Sequence, residues 1–199
     1  MRIVRPVQYR RFALLIALTL VAAGALAGQG AAPNKEQADD AAALKKFTVS
    51  VEEYLKLRKS IEKQLPALKN KEELPEMIAA HQQALARKIR EGRPNAKPGD
   101  IFTRDVREAF RHLIRSVFQD PKTAAAHSTA QQQRTVQAFP LRVNGVYPDA
   151  VAETTFPSAL LQKLPQLPEE LAYRIVGRDL VLVDSKANLV VDLFHEALP

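Results

Sequence analysis

The stretch YRIVGRDLVLVDSKANLVVDL, residues 173–193, decides the fold class that the sequence predicts. It contains three apolar runs, which are separated by Gly177-Arg178-Asp179 and by Ser185–Asn188, two segments of residues typical of turns. Short apolar runs with turns between them predict an antiparallel meander of three strands, at residues 173–176, 180–184 and 189–193. The middle run is apolar on both faces, so we expect both sides of that strand to be covered, with the helices as the cover.

Two helices are predicted well upstream of these strands. The first begins at Ser50, whose hydroxyl can form a capping box with Glu53, and it ends before Pro66. The second extends from residue 73 to residue 91 and is followed by Gly92, a residue typical of helix C-termini. Its apolar stripe consists of Leu74, Met77, Ile78, Leu85 and Ile89.

A third helix, with Thr103 as its predicted N-cap, is strongly amphipathic. Its apolar face consists of Val106, Phe110, Leu113, Ile114 and Val117. The opposite face carries Arg104, Arg107, Arg111 and Arg115. This row of arginines is a candidate surface for an anion or a partner, although Glu108 lies among them and a solvated outer helix face has the same pattern.

The other segments fit an α+β chain in which the amphipathic helices pack against the small C-terminal meander. Asn144-Gly145 between apolar residues predicts a β-hairpin, and residues 158–164 are expected to form a short helix. Residues 123–137 are rich in Ala, Gln, Ser and Thr, a composition compatible with either a weak helix or a linker.

The N-terminal segment has the features of a secretory signal peptide. The arginines at positions 2, 5, 10 and 11 precede an apolar run, Phe12–Ala27, which ends in the cleavage-type sequence Ala25-Leu26-Ala27. This pattern predicts a periplasmic or secreted protein. The alternative is an uncleaved anchor in the inner membrane with the domain outside the cytoplasm, since residues 12–34 carry no charge.

The sequence therefore divides into three parts. We expect a signal peptide at residues 1–27 and a flexible tether at residues 28–47. A single α+β domain is predicted at residues 48–199. Within it, residues 48–137 are expected to be helical and residues 138–199 to contain the strands.

Composition excludes several kinds of chemistry. The chain has no cysteine, which rules out disulfides, thiolate metal sites and a cysteine nucleophile. Four of the 29 basic residues lie in the predicted signal peptide, which leaves 25 against 22 acidic residues. This mild excess does not indicate nucleic-acid binding, which usually requires a concentrated basic surface. There is no glycine-rich phosphate loop and no G-x-S-x-G motif, so we expect no cofactor.

The histidines, the residues best suited to catalysis or metal binding, are scattered. His81 lies in the apolar stripe of the second helix, where a hydrogen-bonded core histidine is the favoured interpretation. Glu108 and His112 have a spacing that can hold a metal, but a solvated helix pair is the commoner arrangement. His127 and His195 have no partner at ligand spacing, and we predict no metal site.

The C-terminal half also resembles a known group of proteins. Leu167–Leu171, Tyr173–Leu180 and Ala187–Asp192, together with Gly99–Thr103, look like the closing signature of a family of uncharacterised exported bacterial proteins. The resemblance covers residues 95–199. It implies export and a shared fold, and it implies no activity, cofactor or functional residue.

These observations favour an exported protein without catalytic activity that acts in binding, as an adaptor or in assembly. Its partner would be a protein or another envelope component, and it would contact a membrane only through an uncleaved signal segment. The alternative is a hydrolase-type enzyme whose site is assembled from dispersed Asp, Glu and His side chains. Asp179, Asp184 and Asp192 in the meander belong to this set, although turn and strand-end roles are the favoured interpretation for them.

The signal-peptide interpretation predicts a mature N-terminus at Gly28, directly after the small residues of the cleavage site. Intact-mass measurement of the protein isolated from the cell envelope tests this prediction. A mass that includes Met1, together with membrane association, would establish the anchor instead.

Overall fold

The computed structural model describes residues 34–66, 74–121, 140–148 and 156–199. In this part of the chain, helices pack against a three-stranded antiparallel sheet, which confirms the α+β class. The elements are α1 (Lys35–Glu62), α2 (Pro75–Gly92), α3 (Arg104–Phe118), α4 (Ser158–Leu161), β1 (Leu171–Val176), β2 (Asp179–Asp184) and β3 (Leu189–Phe194). The predicted signal peptide and the ambiguous segment 123–137 lie outside the described residues.

The C-terminal meander forms as the sequence predicts. The strand order is β1-β2-β3, with Ile175 opposite Leu180 and Asp184 opposite Leu189. The first turn contains Gly177 at φ 62°, a left-handed conformation that glycine adopts without steric cost. Asn188, at φ 47°, fills the same role in the second turn.

Both faces of β2 are covered, but by different parts of the chain. Leu180 and Leu182 face the main core, which also contains the buried side chains of the three long helices. Val181 and Val183 face a second cluster on the other side, which includes Tyr147. Coverage of both faces was correctly predicted, whereas the expectation that helices supply all of it was wrong, because residues around Tyr147 pack against the second face.

The turn predicted at Asn144-Gly145 forms, but the predicted pairing of the residues on its two sides is wrong. Asn144 does make a turn with φ 62°, but Val146 bridges to Leu189 rather than to the residues before the turn. The backbone N–H of Asn144 donates to the carbonyl oxygen of Val190 at 2.8 Å. The backbone groups on this edge of β3 need partners, and pairing with the distant segment satisfies them.

Helix α1 begins sixteen residues earlier than predicted, at Lys35 rather than after Ser50. Asn34 caps it, and its side chain forms a capping box with Gln37. Ala43 and Phe47 are buried in the core, so the predicted tether is wrong for residues 34–47. Ala43 and Phe47 continue the buried stripe of the rest of α1, which ties the helix to the core from Ala43 onward.

The bounds of α2 agree with the prediction, but its apolar stripe is only half buried. Leu85 and Ile89 lie in the core together with Ala86. By contrast, Leu74, Met77 and Ile78 are 64%, 51% and 49% exposed, so the prediction that they belong to the core was wrong. All residues from 74 to 80 are exposed, because α2 packs on the body of the protein only through its second half.

An aromatic cluster joins α3 to α1 and to the sheet. The ring centroid of Phe110 lies 5.0 Å from that of Phe47, 5.4 Å from that of Phe102 and 6.2 Å from that of Tyr173. The predicted apolar face of α3 is confirmed, with Ala109 as an additional buried residue and Leu113 half-buried. Thr103 occupies the N-cap position without a capping hydrogen bond from its side chain.

Replacing Phe110 by alanine is expected to lower the free energy of unfolding by about 3–5 kcal/mol, because a fully buried aromatic ring leaves a cavity among its neighbours. Arg115→Ala on the same helix is the matched control, since this exposed side chain should change stability by less than about 0.5 kcal/mol. Urea denaturation measures both changes, and equal losses would contradict the assigned helix faces.

Candidate functional site

A cleft with a volume of ≈ 700 Å³ lies between the first half of α1 and the exposed edge of α3. Its walls carry ionisable side chains of both signs. The lining residues are Lys35, Glu36, Asp39, Asp40, Ala42, Ala43, Lys46, Asp105, Glu108 and His112.

His112 is the central ionisable group of this cleft. Its Nδ1 lies 2.9 Å from Oδ2 of Asp40, and its Nε2 lies 3.5 Å from Oε1 of Glu36. The two acids are four residues apart on α1, so they share one helix face and flank the imidazole ring together. The predicted pair with Glu108 does not form, because Glu108 interacts instead with Arg111 at 3.4 Å.

A second ion pair closes the far side of the cleft, where Nζ of Lys46 lies 2.9 Å from Oδ2 of Asp105. The hydrogen bond and the charge of Lys46 lower the pKa of the Asp105 carboxyl. The side chains of both residues are more than half exposed, so solvent screens this pair strongly. Among the described residues, no group of three His, Cys, Asp or Glu side chains is placed to hold a metal ion.

The four arginines of the predicted row lie in two different kinds of environment. Arg104 and Arg115 are exposed, whereas the guanidinium of Arg111 lies 5.0 Å from the ring centroid of Phe194. Arg107 donates from Nε to the carbonyl oxygen of Phe102 at 2.7 Å. Arg107 and Arg111 therefore border the buried face of α3 and support the fold, whereas Arg104 and Arg115 lie on its exposed side.

The buried charges of the described residues lie elsewhere, and Asp184 is the first of them. Its Oδ2 accepts hydrogen bonds from Nε of Arg58 at 2.7 Å and from the Tyr54 hydroxyl at 2.8 Å. Its Oδ1 accepts from the backbone N–H groups of Lys186 and Ala187 in the following turn. One fully buried carboxylate thus joins α1 to the end of β2.

The electrostatics of this cluster match its geometry. Burial, reinforced by the neighbouring carboxylate of Asp184, raises the pKa of the Tyr54 hydroxyl far above its ordinary value. Burial acts against the charge of Arg58, but Asp184 and Glu62 outweigh it and raise the pKa of the guanidinium. Tyr54 and Arg58 therefore stay protonated, as donors to the carboxylate.

The second buried carboxylate, Asp192, binds the loop before α3. Its Oδ2 accepts from the backbone N–H groups of Ile101 and Phe102, each at 2.7 Å. Its Oδ1 accepts from the N–H groups of Gly99 at 2.9 Å and of Leu193 at 2.7 Å. Four donors satisfy this carboxylate, which therefore has a structural role within the sheet.

The other histidines lie apart from the cleft. His195 interacts with Asp179, with Nδ1 2.8 Å from Oδ2, near the turn between β1 and β2. His81 is half-buried on α2, outside the core in which it was predicted to lie. His127 lies outside the described residues.

Sequence reasoning missed the cleft because three of its acids, Glu36, Asp39 and Asp40, fall in the segment predicted to be a tether. The available signal was the spacing of Glu36 and Asp40 in an alanine-rich stretch with helical tendency.

No family model, curated protein or solved structure matches this chain. The resemblance to exported bacterial proteins therefore stays a prediction. Among the described residues, no helix is long and apolar enough to cross a membrane.

Replacing Asp192 by alanine is expected to lower the free energy of unfolding by more than about 3 kcal/mol, because each buried N–H that loses its acceptor costs about 1–3 kcal/mol. Asp39→Ala is the matched control, an exposed aspartate on α1. Urea denaturation gives the stabilities, and amide exchange at Ile101 and Phe102 reports the loop directly. Equal stability of the two variants would contradict the structural role of Asp192.

Proposed function

We propose that this chain is an exported protein without catalytic activity that acts in binding, as an adaptor or in assembly in the cell envelope. The proposal of export rests on the arginine-rich start and the apolar run of the N-terminal segment. The proposed binding role rests on the surface of α2.

The observation that carries the proposal is the exposed apolar beginning of α2. Leu74, Met77 and Ile78 are each about half exposed or more, and they share one face of the helix. Among residues 74–80, Glu76 is the only charged side chain. A helix turn this apolar is unfavourable in water, and contiguous exposed apolar surface of this kind marks sites where a partner binds. A protein component of the envelope is the partner that we propose.

The buried charges also support a role without catalysis. Arg58, Asp184 and Asp192 are the buried charged residues of the described part of the chain, and all three hold secondary-structure elements together. A catalytic group has to reach a substrate, and these carboxylates are enclosed by donors of the protein itself.

One observation favours a second candidate function, a hydrolase. The pairing of His112 with Asp40 in the cleft is the arrangement of a general base oriented by a carboxylate. Among the described residues that line the cleft there is no Ser, Thr or Tyr, so a water molecule would be the nucleophile. This candidate predicts a hydrolytic activity that His112→Gln abolishes.

The test places a photo-activated cross-linking residue at position 77 of the full chain in its native envelope. The same residue at position 83, an exposed glutamine on the same helix, is the matched control. We expect a discrete adduct with one envelope protein from position 77 and none from position 83. We also expect Met77→Glu with Ile78→Glu to abolish association with the captured protein, at a change in stability of less than about 1 kcal/mol.

Two outcomes would overturn the proposal. One is an absence of adducts from position 77 in a protein that is present in the envelope at normal abundance. The other is turnover of an ester, phosphoester or peptide substrate by the wild-type chain that is lost in His112→Gln, which would establish the hydrolase.

A further inference from the structure

The first two turns of α1, residues 35–42, have little apolar attachment to the rest of the protein. None of these residues is buried, and the core residues of the helix begin at Ala43. Most helical stability in proteins comes from packing of an apolar face, and these turns contribute no large apolar side chain to the core. Their attachment must therefore come from polar contacts.

Those contacts converge on one side chain of α3. His112 approaches Asp40 at 2.9 Å and Glu36 at 3.5 Å, and both acids lie within the first two turns of α1. The capping box between Asn34 and Gln37 is local to the helix and does not bind it to α3. Lys46 and Asp105 connect the same two helices, one turn beyond this segment.

The surroundings of His112 are rich in carboxylates. From α1, Glu36, Asp39 and Asp40 face the cleft together with Lys35 and Lys46. From α3, Asp105 and Glu108 face it, with Arg111 paired to Glu108 and Arg115 exposed one turn further on. Helix α4, which also contacts α3, contributes no ionisable side chain. A positive charge on His112 therefore lies between acids of both helices.

We propose that His112 is a pH-dependent clasp for the first two turns of α1. When the imidazole is protonated, it is a cation between Asp40 and Glu36, and charge-assisted hydrogen bonds hold these turns against α3. When it is neutral, one ordinary hydrogen bond to Asp40 is left, and the acids of α1 and α3 repel one another across the cleft. Histidine is the side chain best suited to a change of charge within the physiological pH range.

Release of these turns would change the cleft, because Lys35, Glu36, Asp39 and Asp40 form one of its walls. The difference between a charge-assisted and a neutral hydrogen bond corresponds to roughly a fivefold change in the ratio of docked to released turns. The clasp is independent of the proposed binding surface, which lies on α2.

The experiment follows the ¹³Cα secondary shifts of residues 35–42 in the full chain between about pH 5 and pH 8. In the wild type we expect helical shifts at the lower pH that shrink as the pH rises. In His112→Gln the shifts should be small and independent of pH. His81→Gln, a change to a half-buried histidine of α2, should keep the wild-type dependence and is the matched control.

A second variant, Glu36→Gln with Asp40→Asn, leaves His112 in place and removes its charged partners. It should also lose the pH dependence, which keeps the test decisive if His112→Gln fails to fold. Wild-type shifts that do not change with pH would overturn the clasp. A pH dependence that persists in the Glu36→Gln, Asp40→Asn variant would also overturn it.

Discussion

The carboxylate of Asp192 binds four backbone N–H groups, and the packing of α3 depends on it. Three of those donors belong to the loop that precedes α3, so one side chain of β3 fixes where that helix begins. The carboxylate reaches the loop because β3 contains a bulge: Leu182 is opposite Asp192, whereas Val183 is opposite Val190. The extra residue turns Asp192 toward the helices, where strict alternation would place it on the other face of the sheet.

Asp184 makes a comparable connection at the end of β2, two residues along that strand from Leu182, the residue opposite Asp192. It binds Arg58 and Tyr54, so the second half of α1 is fixed to β2 while the loop before α3 is fixed to β3. The rings of Phe47, Phe102, Phe110 and Tyr173 pack against one another and interlock α1, α3 and β1. Buried ion pairs contribute little net stability, but removal of one partner is costly, so such contacts specify one arrangement of the helices on the sheet.

The sequence predicted the meander, α3 and the bounds of α2, because their apolar periodicity and turn residues are local signals. It did not predict the burial of Asp192, because the bulge that reorients this side chain cannot be recognised from the sequence pattern of β3. The start of α1 was missed because a segment rich in alanine and charge has a weak pattern, and the rings that pack against Phe47 belong to residues far away in the chain. The cleft was missed for the same reason, as Asp40 and His112 are 72 residues apart.

Two groups of charged residues in the described chain thus have different consequences. Asp184 and Asp192 in the sheet are enclosed by donors of the fold, and a change there affects stability before it affects any surface. Those of the cleft are partly or largely accessible to solvent, which screens each pair and lets it respond to pH or salt. The apolar beginning of α2 belongs to neither group, because no contact among the described residues accounts for it. A partner that covers Leu74, Met77 and Ile78 would give these side chains the apolar environment that residues 34–66, 74–121, 140–148 and 156–199 do not supply.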